Sequence, residues 1–138
     1  MSIFLKKEKM RMHYTAPSFF SQDDHVFLFS DPKDARIEIE RNAPAAVIFI
    51  PGENALSSPR PWVSALSSAS YLVVLGKDCI EVKNFMKALD RAVFSPVARK
   101  LSSAFHAKTG EEAEALMNAV KDYNYNRLVI FDREDNDK

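Results

Sequence analysis

The stretch Val47-Ile48-Phe49-Ile50-Pro51-Gly52-Glu53-Asn54-Ala55-Leu56-Ser57-Ser58-Pro59 decides how the rest of the chain is read. Its four opening apolar residues suit a strand covered on both faces, as in a parallel sheet. Pro51 removes a backbone donor and Gly52 permits a turn that other residues resist, so the strand should end there. A helix is expected to begin near Arg60. Ligands of open α/β sheets gather at the carboxyl ends of strands. The 52–60 turn is therefore the first place to look for a site.

Downstream, a short helix is expected over 61–69 and a buried strand over Tyr71-Leu72-Val73-Val74-Leu75, ended by Gly76. Asp78 and Glu81 have the spacing of a capping box. Behind them Val82, Phe85, Met86 and Leu89 form one apolar helical stripe, with a break expected between Asp90 and Pro96. Pro96 to Lys100 reads as a further helical turn. Ser103 to Ala107 reads as a short strand, and Thr109-Gly110-Glu111-Glu112 as a second capping box. Ala113, Leu116, Met117 and Val120 supply that helix's stripe, and Arg127 to Phe131 is a last strand.

Upstream, His25 to Ser30 is a strong strand candidate. Met10 to Thr15 alternates like a half-buried one, so the two could pair across the Pro17–Asp24 turn. Asp31-Pro32-Lys33-Asp34 carries helix-start chemistry: a capping carboxylate, proline at the first position and an acidic first turn. Arg36-Ile37-Glu38-Ile39-Glu40 alternates like a strand, but the start signals and the following Asn42-Ala43-Pro44 favour a helix to about Arg41.

Strands alternating with helices imply βαβ crossovers. The expected architecture is a single α/β domain with a mainly parallel sheet of five to six strands and helices on one or both faces. A flavodoxin-like three-layer sandwich is the alternative. Residues 1–9 would be a flexible arm, 10–132 the domain and 133–138 a polar tail.

The 138 residues suffice for one core, and Lys plus Arg equals Asp plus Glu at 19 each. That balance gives no electrostatic case for nucleic acid or an anionic membrane. The apolar run at 3–5 is far too short for an export signal or a membrane span. Cys79 is the lone cysteine, so no internal disulfide can form and a cytoplasmic home is expected. No Cys/His spacing suits zinc, and no glycine-rich phosphate loop is present, so no cofactor is expected. His13, His25 and His106 read as packed or surface residues instead of bases, and Cys79 as an inert thiol beside a helix start. A phospho-accepting receiver is disfavoured because the strand ends offer Asp31, Pro51, Gly76, Lys108 and Asp132 with no single central aspartate. Arg91, Arg99 and Lys100 near Phe94 and Phe105 form a basic-aromatic mixture that reads as a solvated helix face.

Two strands before the first helix, then Tyr71 to Gly76 with Glu81-Val82, Leu89 to Phe94, and Phe105 to Ala113, resemble the STAS domain of anti-sigma-factor antagonists and sulfate-transporter tails. The resemblance covers residues 10 to 122 and leaves strand 127–131 as an addition. It implies a regulatory, bacterial-type protein-binding module, with a switch serine in the turn after the central strand. That turn falls at Ser57-Ser58-Pro59-Arg60, making Ser58 the nearest equivalent and Ser57 its neighbour. Ser57 stands where the family has aspartate, and Pro59-Arg60 replaces small residues.

A phosphate at Ser57 or Ser58 would sit at a helix N-terminus, where backbone donors favour it. The alternative at the same place is a serine that caps the helix. The expected protein-binding surface is Gly52, Glu53, Asn54, Arg60 and Trp62. Trp62, with Phe4, Phe19 and Phe20, falls outside the core stripes and could anchor another protein or a second copy of the chain. The competing expectation is a small-molecule binder or enzyme with His25, Asp31 or Lys108 in the strand-end cleft.

Overall fold

A computed structural model describes residues 25–93, 101 and 103–132. The expected arm at 1–9, strand at 10–15, helical turn at 96–100 and tail at 133–138 lie outside them, as do Phe4, Phe19, Phe20, Phe94, Arg99 and Lys100. In order, the chain forms β1 (His25–Phe29), α1 (Pro32–Arg41), β2 (Ala45–Ile50), α2 (Glu53–Ser57), α3 (Pro59–Leu66) and β3 (Tyr71–Leu75). It continues through α4 (Ile80–Val93), β4 (Ser103–Ala107), α5 (Gly110–Asn118), a 3-10 turn (Lys121–Tyr123) and β5 (Asn126–Asp132).

All five strands are parallel, in the order β1-β5-β2-β3-β4. The last strand, expected as an addition to the sheet, is thus inserted between β1 and β2. Leu128, Val129 and Ile130 of β5 are completely buried there.

The steps from β1 to β2, β3 and β4 all advance one way across the sheet. Right-handed crossovers therefore lay α1 to α4 on one face, and the return from β4 to β5 lays α5 on the other. The core follows that division. Phe27, Phe29, Val47, Phe49, Leu72 and Val74 point to the four-helix face. Val26, Leu28, Ile48, Val73 and Val129 share the opposite face with Ala113 and Met117 of α5. A three-layer α/β sandwich results.

Helix α1 starts as its sequence requires. Asp31 accepts a hydrogen bond from the Lys33 amide at 2.9 Å, and Pro32 occupies the first turn. The strand-like alternation resolves into helical faces: Ala35 and Ile39 are buried, whereas Ile37 is 50 % exposed. Helix α4 places Val82, Phe85 and Leu89 in the core and continues past Asp90 to Val93.

Candidate functional site

The 52–60 stretch is not the plain turn that its proline and glycine suggest. Glu53 to Ser57 form a five-residue helix, and Ser58 breaks it with φ −135° and ψ 76°. Pro59 is the cause, because the ring of a proline disfavours helical geometry in the residue before it. Gly52 has φ −110°, a backbone that any residue can adopt. Its glycine is needed for close approach: a Cβ there would stand 2.7 Å from the Asp132 carbonyl oxygen.

Asp132 organises this end of β2. It accepts hydrogen bonds from the Gly52 amide at 2.9 Å, the Ala55 amide at 2.8 Å and the Asn54 side chain at 3.2 Å. A carboxylate from β5 therefore satisfies the Ala55 amide in the first turn of α2 and the Gly52 amide just before it, in place of the capping side chain that the helix lacks. Asp132 is only 8 % exposed. At the boundary of a polar C-terminal run, nothing in its local sequence marks it as an anchor.

This arrangement sorts the expected protein-binding residues. Gly52 and Asn54 are bonded to Asp132, while Glu53 and Arg60 are exposed. Trp62 is 2 % exposed, with its ring centroid 5.2 Å from that of Phe49. It is a core residue and cannot be the surface anchor the sequence suggested. At position 62 it lies three residues into α3, on the face turned to the sheet, where its area is spent on packing.

Ser58 is exposed and precedes α3, but its side chain makes no capping bond. The physical reason lies in Pro59 and Pro61, the first and third residues of the helix. Proline has no N–H, so the third-position donor that a serine cap commonly uses is missing. The same absence thins the amide cradle expected for a phosphate at Ser58. What replaces it is side-chain charge. Ser58, Pro59, Arg60 and Pro61 form one wall of a groove of about 460 Å³, which Ala88 and Arg91 of α4 close opposite.

Among the described residues neither Arg60 nor Arg91 has an ion-pair partner. The other described arginines are all matched: Arg36 to Glu40, Arg41 to Glu38, and Arg127 to Glu114. Sequence reasoning placed Arg91 on a solvated face. Its position beside Arg60 depends on how α3 crosses α4, which no local pattern encodes.

A second polar cluster lies where β3 and β4 end. Asp78 turns its carboxylate to Lys108 Nζ at 3.5 Å and Lys83 Nζ at 3.6 Å, so the expected capping box with Glu81 does not form. Lys108 and then Lys83 hold the Asp78 carboxyl below its ordinary value of 3.8. His106 Nε2 lies 2.8 Å from the Gly76 carbonyl oxygen, which engages its ring with the backbone. In α5, Thr109 caps the Glu112 amide at 3.1 Å. Glu112 reaches back to the amide of Lys108 at 2.7 Å, one residue before the cap.

The trio His25, Asp31 and Lys108 does not converge. His25 opens β1, whereas Lys108 follows the end of β4. In a parallel sheet those are opposite ends of opposite edge strands, about 19 Å apart laterally at the usual strand spacing. Asp31 is occupied as the α1 cap.

Among the described residues no group of His, Cys, Asp and Glu is arranged to hold a metal, and no helix is long and apolar enough to cross a membrane. Comparisons with protein families, characterised proteins and solved structures found no match.

Proposed function

We propose that this chain is a non-enzymatic, STAS-like protein-binding module whose working surface is the α3–α4 groove beside Ser58, with phosphorylation of Ser58 as its switch. The observation that carries the reading is the coincidence of three features in one groove: an exposed serine free of capping duty and two arginines without ion-pair partners among the described residues. Prolines 59 and 61 make one wall stiff, which lowers the ordering cost of binding. A phosphate on Ser58 would bring about −1.5 to −2 charges into reach of guanidinium groups suited to bidentate pairing. Ser57 is exposed at the end of α2 but is not part of the groove lining.

The test is comparative capture from an extract of the source cells, using wild type and Ala88→Phe, which fills the groove without changing charge. Thermal melts of both proteins establish that the variant folds. A partner retained by wild type and lost by Ala88→Phe is expected, with Ser58→Glu also altering retention. Equal recovery by wild type and Ala88→Phe, or recovery of nothing by either, overturns the reading.

A further inference from the structure

We propose that the groove between α3 and α4 receives an acidic, extended segment of a partner protein, with its carboxylates held by Arg60 and Arg91. This rests on the reading of the groove as the binding surface and adds the chemistry of the ligand.

Charge complementarity is the argument. Three of the described arginines are already matched by a glutamate of the same chain, and the two that are not meet across one groove. The β3–β4 corner is the contrasting case: Lys83 and Lys108 converge there, but Asp78 sits between them and satisfies both. A ligand carboxylate gains more at Arg60 and Arg91, where no acid among the described residues competes for the cation. Guanidinium groups bind carboxylates bidentately through a planar fork. The groove's neutral lining, from Pro59, Pro61, Val63 and Ala88, suits an extended chain with small or aliphatic residues between its acids. Lys87, four residues before Arg91 and exposed on the same helix, adds positive potential near the rim.

Nucleic acid is the weaker match for these charges. Trp62, the aromatic on the groove-forming helix, is buried against Phe49 and offers no stacking surface. The chain as a whole carries a formal net charge of zero.

The test titrates the full chain into a fluorescently labelled oligo-glutamate peptide and follows anisotropy. Labelled oligo-glutamine and single-stranded oligonucleotide serve as comparisons. Saturable oligo-glutamate binding is expected, weakening as salt rises and reduced about tenfold by Arg60→Ala/Arg91→Ala, which removes both guanidinium forks. Lys83→Ala/Lys108→Ala should leave it unchanged.

Four outcomes overturn the proposal: no binding of oligo-glutamate; binding indifferent to the arginine pair; tighter binding of the oligonucleotide at the same arginines; or a dimer in light scattering that Arg60→Ala/Arg91→Ala abolishes, which would make the occupant a second copy of the chain. If oligo-glutamate fails while Ala88→Phe still loses a captured partner, the acidic ligand is wrong and the binding groove stands. If Ala88→Phe loses nothing, the groove itself is wrong.

Discussion

Two aspartates stand near the C-terminal edge of the same sheet and do opposite kinds of work. Asp132, at the end of β5, is buried and spends its oxygens on the backbone amides of Gly52 and Ala55 and the side chain of Asn54. Asp78, after β3, is exposed and faces two lysine ammonium groups. The first ties together segments roughly eighty residues apart in the chain. The second balances charge that solvent could balance nearly as well. Residue type and position at a strand end are thus poor guides to role, and what the carboxylate displaces from water decides it.

Replacing Asp132 by alanine should have the largest effect. It leaves the buried Ala55 amide in the first turn of α2 and the half-buried Gly52 amide just before it without their acceptor, at about 1–3 kcal/mol for the buried donor and less for the other. A loss of roughly 2–5 kcal/mol is expected in denaturant unfolding at neutral pH. Asp132→Asn should recover part of the loss, because its carbonyl oxygen can still accept from one amide. If Asp132→Ala unfolds within error of wild type, the carboxylate is not an anchor and the contrast with Asp78 fails.

The α5 side of the sheet supplies an intermediate case. Tyr71 begins β3 and donates its hydroxyl to the Leu116 carbonyl oxygen at 2.6 Å, which ties α5 to the sheet. Burial raises the phenol above its ordinary value of 10.0. A raised folded value favours the neutral form in the folded protein. That contribution is therefore present below pH 10 and lost as pH rises through the folded value. Tyr71→Phe should cost about 1 kcal/mol at neutral pH and flatten the alkaline limb of the stability profile. An unchanged alkaline limb would place the sensitivity on another group.

How much of this was legible in the sequence follows from what is local. The strand through Val47 to Ile50, the Asp31-Pro32 helix start and the apolar stripe of α4 are written in short periodicities, and the structure has them; of the α5 stripe Ala113 and Met117 are buried, Leu116 is half-buried and Val120 lies past the helix end at Asn118. The place of β5 inside the sheet is a pairing choice, and no pattern within 126–132 distinguishes a central strand from an added edge. Trp62 misled because an eight-residue helix gives little room to tell a stripe from an outlier. Asp132 was hidden because its partners lie far away in the chain, and Arg91 because a helix crossing sets its neighbour. The residues around Ser58 were visible as a place; the groove they line was not.

Asp78 should have the smallest effect, and its sign is specific. Lys108, the larger influence, and Lys83 lower its pKa in the folded protein. A depressed folded value means that the carboxylate stabilises the fold above its unfolded value of 3.8. That stabilisation is lost as pH falls through the lower folded value. Asp78→Asn should therefore leave unfolding at physiological salt almost unmoved, because exposed pairs are screened. The variant should differ from wild type mainly at low salt and above pH 4, with the two converging as acid protonates the wild-type carboxyl. A difference that persists undiminished in high salt would mean that Asp78 does structural work like that of Asp132, through contacts other than its two lysines.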